Sequence, residues 1–295
     1  MNRKYELTTE TRSFDGRILH RIKRIEDELI GGWIESENNL SQEGDCFVYD
    51  NAMVYGDAEV CDNAIVFDNA KVYGRAIIAN DAEVFGNTMV YSNAMVFGNS
   101  RIFGDVKVSG NSRVFGEVKI SDNAEIYGNA RVYGNAMIFG DAEISGNAMV
   151  FCNARIYGEA MVYGNSRVYG EAEISGNARI YGEAMVYGYS KVFGRTRVYG
   201  EAKVWDKAEI SDENIIGQIT TGYKDIFQHQ CKSRMLTAIL TENDEILYSI
   251  GCQNNITKEV FLDRIYNEGG GLEENPHRKE YLKLIPLIES YFRIK

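Results

Sequence analysis

The chain has 295 residues with 43 acids against 32 Lys and Arg, a formal net charge of -11, and its only prolines are Pro276 and Pro286. That balance argues against nucleic acid or anionic membrane as a general partner, because phosphate binding needs concentrated Lys and Arg. No apolar run approaches the roughly 18 residues of a membrane span, and Met1-Asn2-Arg3-Lys4-Tyr5-Glu6 lacks the apolar core of a signal peptide. Five cysteines, Cys46, Cys61, Cys152, Cys231 and Cys252, are odd in number and form no CxxC pair, so reduced thiols in the cytoplasm are the expectation.

Residues 1–44 follow no fixed period. Tyr5-Glu6-Leu7 and Ile18-Leu19-His20-Arg21-Ile22 read as short strands, and Gly31-Gly32-Trp33-Ile34 as a turn leading into another. They form an N-terminal β cap, with Trp33 expected as its plug.

From Asp45 to Asp212 one six-residue phrase recurs without interruption, beginning in full with Asn51-Ala52-Met53-Val54-Tyr55-Gly56. These 168 positions, six apiece, hold 28 copies in one frame. Val or Ile occupies one position (Val54, Val60, Val66, Val72), and Ala, Ser or Thr stands two before it, as at Ala52, Ala58, Ser100 and Thr196. Two apart on a strand means one face, so both point inward, while the residues flanking the aliphatic one point outward. Gly followed by Asn, Asp or Glu marks the corner, where Gly supplies positive φ.

Three strands and three corners make a triangular coil, and coils stack at about 4.8 Å, which gives a little over nine coils and a rod of roughly 45 Å. The fold class is therefore all-β: a parallel β-helix of hexapeptide repeats over 45–216, a β cap over 1–44 and an α+β module over 217–295. Val106 and Val118 occupy small-residue positions. Local repacking is expected there.

Beyond Asp212 the frame dissolves through Glu213-Asn214-Ile215-Ile216-Gly217. Asp225 to Ser233, Met235 to Thr241 and Glu245 to Gly251 read as strands, with a turn at Glu242-Asn243-Asp244. Thr257 to Glu268 reads as a helix closed by Gly269-Gly270-Gly271. A second helix opens at Asn275-Pro276 and buries Tyr281, Ile285, Ile288 and Phe292, with a kink expected at Pro286.

The string from Gly31-Gly32-Trp33-Ile34 through Asn38-Asn39-Leu40 to Gly44-Asp45-Cys46, running directly into Val-Tyr-Gly-Asn-Ala phrases, resembles the YdcK-type hexapeptide-repeat proteins of bacteria and their phages. The likeness covers about residues 3–212. It implies a left-handed β-helix and, by analogy, acyl-CoA-dependent O- or N-acyltransferase activity. Such enzymes typically place a catalytic His beside the helix and bind acyl-CoA between subunits of a trimer. Here the histidines are His20, His229 and His277, all outside the repeat, and no insertion breaks the frame. A general base must lie within hydrogen-bond reach of its acceptor, so these three are the catalytic candidates under that alternative, with acetyl-CoA or another acyl-CoA as the cofactor.

Taking every third hexapeptide gives the columns on each side. One outward column reads Phe97, Phe115, Tyr133, Phe151, Tyr169, Tyr187, Trp205, and beside it stand Met95, Arg113, Arg131, Met149, Arg167, Met185 and Lys203. The other two sides are interrupted by Ser109 and Ser145, and by Ser121, Ser175 and Ser211. Stacked aromatics support neighbouring strands. An unbroken aromatic face carrying Met and Arg also marks an association site. Corner acids such as Asp105, Glu117, Asp141, Glu159, Glu171, Glu183 and Glu201 read as solvated edges; a charged row imitating DNA is the sharper alternative. His229, Cys231, Cys252 and His277 could together ligate zinc, although their spacing matches no specific pattern. The sequence thus points to a binding or scaffolding protein without a cofactor. Its expected partners are its own copies, as a trimer or dimer, and a bacterial host protein docking on 217–295. The acyltransferase is the alternative.

Overall fold

The computed structural model describes residues 3–205, 207–210, 215–217, 220–221, 226–231, 235–241, 245–250 and 253–293. The hexapeptide frame becomes a parallel β-solenoid of about ten turns. The chain forms two compact units, Met1–Asn165 and Ser166–Lys295.

In the first unit, strands pair in parallel at a spacing of three hexapeptides. Val54 lies beside Val72 and Val72 beside Val90 in one sheet, Val48 beside Val66 and Val66 beside Val84 in a second, and Ile78 beside Val96 and Val96 beside Val114 in the third. All of these side chains are fully buried, as are Ala52, Ala64, Ala76 and Ala94. The period thus selects a dry core in which each strand contributes one aliphatic and one small residue, and the backbone N–H of one turn donates to the carbonyl of the next, as from Met53 to Ala70 at 2.9 Å. Where Ser or Thr takes the small position its hydroxyl donates back to the preceding corner: Thr88 to Phe85, Ser100 to Phe97 and Ser112 to Ser109, at 2.7 to 2.9 Å. Those buried hydroxyls therefore carry no desolvation penalty. Val106 and Val118 are accommodated inside, both fully buried.

The corners are equally regular. Gly occupies the left-handed conformation at most of them, and Asp50, Asp62, Asp68, Asn80, Ser92, Asp122 and Cys152 hold it at φ 52 to 63° where Gly is absent. Beside one edge the amides of Asn93, Asn111, Asn129, Asn147 and Asn165 form a ladder, each Nδ2 donating to the next Oδ1 at 3.0 Å.

The N-terminal flank is a cap, built on an element more extended than the sequence suggests. Tyr5–Phe14 and Arg17–Arg24 form an antiparallel hairpin. Its turn residues Asp15 and Gly16 lie at φ 50° and 71°, the Asp-Gly type I′ signal. Arg17–Arg24 pairs antiparallel with Ile30–Ile34, which in turn pairs in parallel with Met53–Val54. That strand converts the hairpin into the solenoid.

Trp33 is not the plug. The register sets Ile34 against Val54 and Trp33 against Met53, so Ile34 continues the inward column and the indole stands on the outer side of the sheet. There the hairpin covers it, in a cluster with Leu19, Met53 and Tyr55, under the guanidinium of Arg21 at 4.8 Å. Tyr5, Ile22, Leu40 and Phe47 are fully buried instead, and the Tyr5 hydroxyl donates to the Leu40 carbonyl at 2.6 Å.

In the second unit the same pairing runs from Arg167–Val168 onward, Val168 beside Val186 and Val186 beside Val204. It continues past Asp212, with Ile215–Gly217 in register with Arg197–Tyr199 and Thr220 beside Lys203. Glu213 and Asn214 lie outside the described residues.

A four-stranded antiparallel meander follows: Ile226–Gln230, Met235–Leu240, Ile246–Ile250 and a fourth strand the sequence did not reveal, Gln253–Ile256. The turn assigned to Glu242-Asn243-Asp244 lies outside the described residues. The helix Lys258–Asn267 starts at an N-cap where the Thr257 hydroxyl accepts from the Val260 N–H. The helix Lys279–Arg293 runs through Pro286 uninterrupted and buries Tyr281, Leu284, Ile285, Ile288 and Phe292 against Leu236, Ala238 and Tyr248 of the sheet. Packing of this stripe outweighs the one hydrogen bond that Pro286 cannot make.

Candidate functional site

Outward positions on the strands alternate with the buried column, so residues one turn apart stand side by side. Met95, Arg113, Arg131 and Met149 are in register along one sheet of the first unit. Next to them Phe97, Phe115, Tyr133 and Phe151 stack with centroids 5.1, 4.9 and 4.8 Å apart and planes within 4° of parallel. The rings are half-buried and the two arginines exposed.

Ring stacking is not peculiar to that face. Tyr55, Tyr73 and Tyr91 stack on a second side, and Phe67, Phe85 and Phe103 on the third. The aromatic preference is therefore structural in the first place, each pair adding about 0.2 to 1 kcal/mol.

Outward charges on the other two faces pair along the sheet in places, Arg101 Nε donating to Glu83 at 2.8 Å and Lys107 Nζ to Glu125 at 2.8 Å, although like charges also adjoin there, Arg101 beside Lys119 and Glu125 beside Glu143. Glu125 lifts the Lys107 pKa above its ordinary value through that hydrogen bond. Tyr127 donates to Glu143. On the Phe97–Phe151 face Arg113 adjoins Arg131, and neither forms an ion pair among the described residues. The sequence columns contained these adjacencies, since charges three hexapeptides apart become neighbours.

In the second unit Tyr169 and Tyr187 stack at 4.9 Å. Exposed Arg167 and half-buried Lys203 lie on either side of Met185 in register. Trp205 is 36% exposed, and Tyr189, standing where the frame usually has Asn, Asp or Glu, is 57% exposed. Tyr189 is an addition to the surface that the column analysis missed because it sits at a corner.

The corner acids are tied into amide ladders: Asp81, Asp105 and Asp141 accept from Asn63, Asn87 and Asn123 at 2.8 to 3.0 Å. Amides interrupt these columns, as Asn123 does between Asp105 and Asp141, so the acids do not form one continuous row.

The histidines are dispersed. His20 is half-buried in the Arg17–Arg24 strand opposite Thr11. An open concavity of about 800 Å³ nearby is lined by Arg17, Glu35, Ser36, Asn38, Gly56, Asp57, Glu59, Gly74 and Arg75, without a histidine. Within it Arg17 pairs with Glu35 at 2.8 Å and Arg75 with Asp57 at 3.8 Å. His277 lines a cavity of about 190 Å³ with Arg264, Asn275, Arg278 and Tyr281.

His229 and Cys231 do come together, joined by Glu280 rather than by His277, with their donor atoms all within 4.8 Å of one another. Burial, and then the Glu280 charge, pushes the Cys231 thiol up to about 11. Cys252 lies outside the described residues. Among the described residues Cys46, Cys61, Cys152 and Cys231 form no disulfide. Among the described residues no helix is long and apolar enough to cross a membrane.

These features define a hexapeptide-repeat parallel β-solenoid protein. The family model of the YdcK beta solenoid repeat matches residues 124–138, 130–143 and 154–170. The matched segments are similar to YdcK solenoid repeats, in agreement with the observed solenoid. No curated protein matches the chain significantly.

Proposed function

We propose that this is a binding and scaffolding protein that self-associates through the Phe97–Phe151 face. The observation that carries the reading is the in-register pair Arg113 and Arg131 beside stacked Phe115 and Tyr133. Two like charges at strand spacing disfavour the isolated sheet, and aromatic, Met and Arg side chains together are the composition of interface cores. The occupant favoured is a second copy, because each copy also supplies exposed acids, Glu117 and Glu159 among them, to meet these guanidiniums. With a net charge of -11, a copy is a better electrostatic match than a nucleic acid.

The experiment is sedimentation equilibrium of the full chain against Phe115→Glu plus Tyr133→Glu. The wild type is expected as a dimer or trimer and the variant as a monomer. An unchanged mass, or a monomeric wild type that gains mass only with added oligonucleotide, overturns the reading.

A further inference from the structure

The C-terminal sheet begins with an edge strand, Ile226–Gln230, whose only sheet neighbour among the described residues is Met235–Leu240. Alternation places Phe227, His229 and Cys231 on one side of it. Phe227 meets Tyr291 edge-on at 5.5 Å, and Cys231 is buried in the core that the Lys279–Arg293 helix covers. Strand and helix therefore run in opposite directions, and the far end of the strand arrives at the first turn of the helix, where Glu280 stands. There an imidazole, a thiol and a carboxylate converge, with donor atoms within 4.8 Å of each other.

We propose that His229, Cys231 and Glu280 bind a divalent transition-metal ion of the zinc class, clipping the edge strand to the C-terminal helix. The donor set selects the ion. A sulfur ligand disfavours Mg²⁺ and Ca²⁺, which take oxygen, while mixed N, S and O donors suit Zn²⁺ and Co²⁺. The donors, within 4.8 Å of one another, stand up to about 1 Å wider than the roughly 3.3 to 3.8 Å separations within a tetrahedral shell of bonds of about 2.0 to 2.3 Å. Small rotamer changes close the remainder, since His229 is exposed and Glu280 is half-buried. Three protein ligands leave the fourth position to water. On binding, Cys231 gives its proton to solvent and coordinates as thiolate. The pairing with Glu280 was hidden in the sequence because it depends on helix-to-sheet packing.

The test is titration of the reduced full chain with Co²⁺, read by the sulfur-to-cobalt charge-transfer absorption and by competition with Zn²⁺. The expected result is one Co²⁺ per chain with that band, the band lost in Cys231→Ser, and affinity at least tenfold weaker in both His229→Ala and Glu280→Gln. His229→Ala alters an exposed side chain and so keeps the test valid if Cys231→Ser fails to fold. Absence of the band at one equivalent overturns the proposal. So does a band of unchanged affinity in His229→Ala and Glu280→Gln, which would assign it to another thiol of the chain.

Discussion

Arg113 lies directly beside Arg131 in a parallel register that also sets Phe115 against Tyr133. Neighbouring like charges in a sheet are destabilising, and an opposite pair contributes about 0.2 to 1 kcal/mol. The chain uses such pairs elsewhere, as between Glu83 and Arg101. Arg131→Glu should therefore have two effects of opposite sign. It should raise the resistance of the single chain to urea by a few tenths to about 1 kcal/mol, measured at dilution. At high protein concentration it should abolish self-association, measured by sedimentation. A variant that is more stable yet assembles normally would show that the arginine pair has no part in an interface.

Asn39 is fully buried, and its single amide makes four hydrogen bonds. Oδ1 accepts from the backbone N–H of Glu35 and Ser36 at 3.1 and 2.8 Å, and Nδ2 donates to the carbonyls of Gly56 and Ala58 at 2.9 and 2.8 Å. It ties the cap to the first full coil. Asn39→Ala leaves three backbone groups unpaired, since the Glu35 N–H also donates to the Val54 carbonyl at 3.1 Å, and should cost about 2 to 4 kcal/mol. Asn39→Asp keeps the acceptor but turns a carboxylate towards two carbonyls, so it should be no better. Urea unfolding followed by circular dichroism checks both.

The legible part of the fold was its periodic part. Once Val54, Val72 and Val90 are placed inward, an eighteen-residue turn fixes every strand neighbour, including Arg113 with Arg131. Trp33 escaped because the frame starts only at Asp45, and its side of the sheet depends on whether it pairs with Met53 or with Val54. Strand parity cannot be carried across the intervening turn and 3₁₀ helix Glu37–Asn39. The hairpin was announced by Asp15-Gly16, a signal present in the sequence and passed over. Glu280 was illegible for a different reason: it reaches His229 and Cys231 only after helix and sheet have packed.

Tyr55 packs with Leu19, Trp33 and Met53 and is stacked on Tyr73 at 5.0 Å. Burial first, then the neighbouring Tyr73 and Asp15, pushes its phenol up to about 12 from 10.0. In the unfolded chain the phenol ionises near its ordinary value, whereas the native chain keeps the proton until higher pH. The unfolded state thus binds fewer protons above pH 10, and stability falls as pH rises from 10 toward 12. Below 10 the group adds no pH dependence. Urea midpoints taken from about pH 9 to about pH 11 should decline, and Tyr55→Phe should flatten part of that decline. An identical slope in the variant would place the alkaline sensitivity elsewhere, as at Tyr5 or Tyr248, whose phenols burial also raises.

Cys152 holds a corner at φ 60°, where glycine is favoured and where Asp or Asn can compensate through local hydrogen bonds. A cysteine has no such compensation, and the left-handed region costs a residue with a Cβ about 1 to 2 kcal/mol. Glycine would relieve that strain while losing about 0.5 to 1 kcal/mol to the greater freedom of the unfolded chain. Cys152→Gly should therefore stabilise modestly, by about 0.5 to 1 kcal/mol, and remove an exposed thiol. The preceding turn supplies the opposite experiment: Gly134 sits at φ 77°, and a Cβ there would come within 2.9 Å of the Cys152 nitrogen. Gly134→Ala meets both the conformational penalty and a backbone clash, so it should destabilise by more than Cys152→Gly stabilises. Paired urea midpoints decide the matter. If both changes shift stability in the same direction, corner conformation is not what limits the stability of this edge.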